Sequence, residues 1–299
     1  MNDTACTQAV ALLTDCPLEL ESVFGHLTAA GFVCELIEGN APDGSARLQI
    51  RGAFRGDGDV IVVDTFPNRW PETLEDPSTW GPCTTSDSLA RAVRHSAGWE
   101  EAREFVDQHQ GFLLLRFFEG ASTPQTRDER INSFLALVKL VRALSELPEV
   151  TAFFCPGGEV LLPLEFLGDV LQTTQMVGMP PFDLLANLRL SWLDERWIIF
   201  ETVGNRQIDL ADLEVYADSQ GKDLNEIASW LRRWSWQHSL PEKALVDGSI
   251  VDGPNGTKFQ VIFADDALLA PKRNVVRLVC QDSTPMPEGL PQRLQIDHA

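Results

Sequence analysis

The chain has 299 residues, 44% of them hydrophobic and 23% charged, with 44 Asp and Glu against 24 Lys and Arg for a net charge of -20. An ordinary apolar fraction excludes wholesale disorder, and a chain this long buries a sizeable core without disulfide or metal staples. The charge argues against nucleic acid and anionic membrane as partners, because both need a basic field to meet their phosphates.

Residues 8–14 read as a buried strand, and Asp15-Cys16-Pro17 as the start of a helix with Leu20, Phe24 and Leu27 on its apolar stripe and Gly31 just past its end. His26 lies off that stripe and is expected to be solvated. Strands are expected near 32–38, 46–54 and 59–65. The stretch 64–88 then runs without periodicity and holds Pro67, Pro71, Pro77, Pro82, Trp70 and Trp80. Such a loop is either packed over a sheet edge by its tryptophans or used for a substrate or partner.

Helical patterns follow at 86–95 and 99–109, with His109 at the end of the second as a partly buried structural histidine. A strong strand covers 111–118. The helix at 127–147 is announced by a capping box, Thr126 with Glu129, and is closed by Pro148. Two strands surround Pro156-Gly157-Gly158, and Pro163 opens a helix to about 176. Residues 187–193 and 197–203 alternate as a hairpin. Asp209 is expected to cap a short helix and Asp223 a longer one with Ile227, Trp230, Leu231 and Trp234 inward. Hairpin turns at Asp247-Gly248 and Asn255-Gly256 precede a strand near 274–280, and the chain after Pro285 reads as a loose tail.

This order predicts an α+β fold with antiparallel or mixed sheets and packed helices. Strand, helix, strand, strand, helix, strand from 111 to 193 is the order of a ferredoxin-like plait, and the first 65 residues begin the same way, as a degenerate duplication would. The expected organisation is an N-terminal half at 1–110 carrying the 64–88 loop, a C-terminal half at 111–285 and a tail at 286–299, with the two halves free to pack as one unit.

The thirds of the chain carry -9, -6 and -5, so the acidity is spread and not gathered in a tail. A spread charge keeps a surface solvated, or offers an acidic face to a basic protein partner. No stretch approaches the roughly 20 apolar residues of a membrane span. Met1-Asn2-Asp3-Thr4 lacks the basic start of a signal peptide, and the six cysteines form no CxxC, which together predict a cytoplasmic chain with reduced thiols.

No GxSxG, HExxH, Walker A or strand-linked GxGxxG occurs, and the five histidines have no ligand spacing, so neither a cofactor nor a metal is expected. The polar residues that stand out lie in the C-terminal half: Glu159, Asn187, Arg189, Glu201, Gln207, Asp212 and Glu214. Arg189 and Glu201 sit on the two strands of one hairpin, where a charge pair across the ladder is expected. The cluster reads as an ion-pair scaffold or as a polar pocket at the strand ends.

The segments Phe154-Cys155-Pro156-Gly157-Gly158-Glu159-Val160-Leu161, Pro181-Phe182-Asp183-Leu184, Asn187-Leu188-Arg189, Trp197, Glu201-Thr202-Val203-Gly204, Gln207-Ile208-Asp209-Leu210 and Asp212-Leu213-Glu214 resemble an uncharacterised bacterial family catalogued as domain of unknown function 4261. The resemblance is best over about 150–280 and extends more weakly to the loop from Asp64 through Trp70 and Pro71. Glu201 stands where that family usually has Asp, and Cys155 where it often has Asn. The family has no established activity, so the resemblance implies positions and not a mechanism. The binding candidates are therefore Asp64, Trp70 and Trp80 of the loop, with the seven polar residues above. The leading expectation is a non-enzymatic, adaptor- or immunity-like protein that binds a basic protein. The alternative is a carboxylate-based hydrolase with a site near Arg189, Glu159 and Glu201.

Overall fold

The computed structural model describes residues 6–37, 47–51, 59–96, 98–119, 126–177, 181–237, 244–281 and 289–290. The chain divides into two compact units, Met1–Ala186 and Asn187–Ala299. The division falls at 186/187 and not at 110/111, and strand pairing gives the reason. The strand Gly111–Phe118 (β5) lies between Val60–Phe66 (β4) and Cys6–Thr14 (β1), so a cut before it would open the sheet.

The first unit is built on a seven-stranded antiparallel sheet in the order β2-β3-β4-β5-β1-β6-β7. Its other strands are Cys34–Ile37 (β2), Arg47–Arg51 (β3), Val150–Cys155 (β6) and Val160–Pro163 (β7). β1 and β5 hold its centre because both are apolar along nearly their whole length, and both are buried throughout their middle. Helices Leu20–Ala29 (α1) and Arg127–Leu144 (α4) pack against each other and on this sheet. α4 starts at the expected capping box, with Thr126 and Glu129 exchanging both bonds. α1 begins at Leu20, later than Pro17 implies, and buries Val23 beside Leu20 and Leu27 where Phe24 was expected. His26 is half-buried and its Nε2 lies 2.8 Å from the Ala143 carbonyl, because the neighbouring helix reaches the side that the α1 sequence leaves polar.

Ser88–Arg94 (α2), Ala102–Gln108 (α3) and the 64–88 loop share a second cluster with the sheet. Ala11, Leu13, Phe112, Leu114 and Phe154 meet Trp70, Leu89, Ala92, Trp99 and Ala102 there. Leu164–Val177 (α5) packs on β6 and β7, and Phe182–Leu185 (α6) ends the unit.

The second unit has a six-stranded sheet in the order β11-β12-β13-β10-β9-β8. Its strands are Asn187–Trp192 (β8), Trp197–Val203 (β9), Asp212–Asp218 (β10), Ile250–Asp252 (β11), Lys258–Ala264 (β12) and Val275–Cys280 (β13). Among the described strands only β10 and β13 run parallel. Leu224–Gln237 (α7) lays Ile227, Trp230 and Leu231 on one face of the sheet, against Phe200, Val215, Phe259 and Leu278. The other face carries Trp197, Ile199, Tyr216 and Val279 with Leu290. Leu290 is thus buried inside the segment expected to be a loose tail; the rest of 286–299, apart from Gly289, lies outside the described residues.

The α+β class holds, and the element order from 111 to 193 holds except for the added short helix α6 before β8. The strands do not close a plait, however: β1 inserts between β5 and β6, and β8 belongs to the second sheet. Asp209 caps no following helix. It sits in the left-handed region just after a 3-10 turn at Asn205–Ile208, and the next element is β10. Among the described residues no helix is long and apolar enough to cross a membrane.

Candidate functional site

The polar residues of the second unit assemble through strand register. Arg189 on β8 lies opposite Glu201 on β9, Glu201 opposite Glu214 on β10, and Glu214 beside Arg277 on β13. One row across four strands therefore reads Arg, Glu, Glu, Arg. Matched positions in a sheet point to one face, so the register alone brings these groups together.

Each carboxylate is held. Arg189 Nη2 lies 2.7 Å from Glu201 Oε1, the charge pair expected across the hairpin, and Arg273 Nη2 lies 2.6 Å from Glu201 Oε2. Arg273 Nε reaches Asp212 Oδ2 at 3.2 Å, while Asp212 Oδ1 accepts from the Asn205 N–H at 3.0 Å and the Thr202 hydroxyl at 3.2 Å. Glu214 takes Arg277 Nε at 3.2 Å, the Tyr216 hydroxyl at 2.6 Å and the Leu268 N–H at 2.8 Å. The segment 265–273 closes the row from above: Arg189 donates to the Ala270 carbonyl and Arg277 to that of Asp266. Three arginines balance three carboxylates, and none of the six is more than 4% exposed.

Burial raises the carboxyl of Glu201, against the pull of Arg189 and Arg273. Burial likewise raises Asp212, against Arg273 and the Asn205 and Gly204 N–H groups. For Arg273 burial works against the charge, yet Asp212 and Glu201 outweigh it and hold the guanidinium protonated. A general acid or base must reach its substrate within about 3 Å. These carboxylates present their oxygens to arginines, N–H groups and hydroxyls instead, which is the arrangement of a scaffold. Gln207 is buried in the 3-10 turn with its amide toward the Gly204 carbonyl, and Asn187 is half-buried at the start of β8.

Glu159 belongs to the first unit. It occupies the left-handed region in the buried β6–β7 turn, and Arg91 Nη2 holds its carboxylate at 2.7 Å. Asp64 lies on β4 between Arg47, at 3.1 Å, and Arg116 of β5. Arg116 also donates to the Thr79 carbonyl at 2.7 Å, tying the 64–88 loop to the sheet.

That loop is packed over a sheet face. Trp70 meets Phe154 edge-on with centroids 5.0 Å apart and Trp80 at 5.1 Å, while Phe66 stacks on Phe112 at 4.5 Å. Gly81 has φ +116°, and a Cβ there would stand 2.3 Å from the Ala9 Cβ, so only glycine lets the loop approach β1. The Trp70 N–H donates to His109 Nε2 at 2.8 Å, which leaves the proton on Nδ1, facing the Val106 carbonyl. Burial, with Arg69 nearby, holds the His109 pKa below its ordinary 6.5. With its tryptophans turned inward, the loop turns Glu72, Glu75, Asp76 and Asp87 outward, and all four are exposed.

The sequence reasoning missed Arg273, Arg277 and Tyr216. Arg277 had a readable signal: it is the lone cation in Val-Val-Arg-Leu-Val-Cys, as Arg116 is in Leu-Leu-Leu-Arg-Phe-Phe. A cation inside a buried strand requires a buried anion. Arg273 precedes its strand and carries no such mark. Comparison with known protein families, with curated proteins and with solved structures gives no match to this chain.

Proposed function

We propose that this chain is a non-enzymatic, adaptor- or immunity-like protein whose acidic first unit binds a basic protein. The reading rests on how the 64–88 loop divides its residues: tryptophans in, carboxylates out. Residues 1–186 contain 27 acidic and 12 basic residues, a net -15 of the chain's -20. The described buried charges of this unit, Arg47 and Arg116 with Asp64 and Glu159, cancel. The whole -15 therefore lies outside them. Carboxylates on a loop clamped at Trp70, Thr79, Gly81 and His109 need little ordering on association, which lowers the entropic cost of docking. A field of this sign speeds encounter with a cationic partner and weakens as salt rises.

The test is a quantitative pull-down from the native cytoplasm at about 50 and about 300 mM salt, with the Debye length cut by more than half between them. A stoichiometric basic partner should be retained at low salt and lost at high salt. The Glu72→Lys/Glu75→Lys/Asp76→Lys variant should lose it at both. Recovery of no stoichiometric partner, or of one indifferent to salt and to the three reversals, would sink the reading.

A further inference from the structure

A hollow of about 460 Å³ opens in the first unit between the 69–72 segment, α2 and α3. Its size falls within the range of small-molecule sites. Leu89, Val93 and Val106 supply apolar lining, with Trp70 at the wall. Arg69, Arg94 and Arg103 enter from three different elements. None of the three makes an ion pair or side-chain hydrogen bond to a described residue.

A shortage of carboxylates is not the cause. Glu72, Asp87 and Asp107 line the same hollow, in a unit with more than two acidic residues for each basic one, yet none comes within pairing distance of these arginines. Arg47, Arg51, Arg91 and Arg116 of the same unit each hold a carboxylate. Helix chemistry accounts for Arg94, which favours the last turn of α2, but not for Arg103. That residue stands in the first turn of α3, where a cation opposes the helix dipole. Guanidinium groups suit carboxylate and phosphate oxygens because their donors form a flat fork.

We propose that this hollow binds a small organic anion, a carboxylate or phosphate monoester with an apolar body, through Arg69, Arg94 and Arg103 and the Leu89–Val93–Val106 floor. The body lies on the floor and the anionic group turns to the arginines. Because the three carboxylates balance the three arginines, the lining of the hollow is neutral within an acidic surface. An inorganic anion, which makes no use of the floor, should bind weakly there.

The experiment is calorimetric titration of the full chain with benzoate, phenyl phosphate, inorganic phosphate and benzylamine. Saturable binding of benzoate or phenyl phosphate supports the site, and the preferred probe decides which anion it takes. The Arg69→Gln/Arg103→Gln variant should weaken that binding about tenfold or more with its melting temperature unchanged, because both side chains are exposed. Val93→Asp should weaken it as well, by spoiling the floor. Benzylamine binding as tightly as the anions, inorganic phosphate matching phenyl phosphate, or an arginine variant that binds like the parent would each overturn the proposal. Glu75→Lys/Asp76→Lys, which leaves the lining of the hollow untouched, reports on the protein partner and the arginine variant on the hollow, so either idea can fail alone.

Discussion

Residues 1–186 carry a net -15 and residues 187–299 a net -5. Of its described charges the first unit buries only Arg47, Arg116, Asp64 and Glu159, while the second buries Arg189, Arg273 and Arg277 with Glu201, Asp212, Glu214 and Asp218. The larger unit thus keeps its charge outside and closes its core with tryptophan and phenylalanine. The smaller one carries matched ions in one row across four of the six strands of its sheet. Buried pairs add little net stability over well-packed apolar residues, but they penalise any register that leaves one ion alone. A one-residue slip of β9 would move Glu201 to the opposite face and strand Arg189. The row therefore specifies strand alignment in a unit whose sheet mixes parallel and antiparallel pairs.

Arg273→Met leaves Glu201 with one cation and Asp212 with none, and should cost the second unit about 3–5 kcal/mol in urea unfolding. Adding Glu201→Gln and Asp212→Asn should restore part of that loss, since the orphaned charges go with it. A cost for Arg273→Met below about 1 kcal/mol would mean that water already reaches the cluster, which is what exposed pairs show. Next comes the aromatic clamp of the first unit. Trp70→Ala should cost about 3 kcal/mol and raise hydrogen exchange across the 64–88 loop while leaving β8–β10 protected.

A smaller effect follows from His109. Its folded pKa lies below the ordinary 6.5 because the ring is buried. The neutral ring therefore contributes stability that is present above the unfolded value, about 6.5, and is lost as pH falls through the folded one. NMR titration should place the His109 midpoint below 6.5, and a midpoint at or above it would refute the tie to Trp70. The smallest effect on stability is expected from Glu75→Lys or Asp76→Lys. Both are exposed, and each should change unfolding free energy by less than about 0.5 kcal/mol while altering partner capture.

Much of the fold was legible because its signals are local. β5 matches the apolar run at 111–118 residue for residue, and α4 begins where Thr126 and Glu129 announce it. β10 was hidden because Asp209-Leu210-Ala211-Asp212-Leu213-Glu214 reads as a capped helix, and only pairing with β9 and β13 makes it extended. The candidate residues were legible as types and not as a constellation. Arg189 and Glu201 could be paired from one hairpin, but Arg273 and Arg277 lie more than 70 residues from Glu201 in sequence, and a crossover brings them alongside.

The sequence alone was enough for the α+β class, for the inward tryptophans as one of two readings of the loop, and for an acidity expected to disfavour nucleic acid and anionic membrane. These follow from periodicity, capping and composition, which are properties of neighbours along the chain. Only the tertiary structure brings Glu201, Asp212 and Glu214 of the second unit to arginine partners, places most of the acidity in the first unit, and leaves Arg69, Arg94 and Arg103 there without an ion pair among the described residues. Those are matters of strand register and loop closure, set by contacts between residues far apart in sequence.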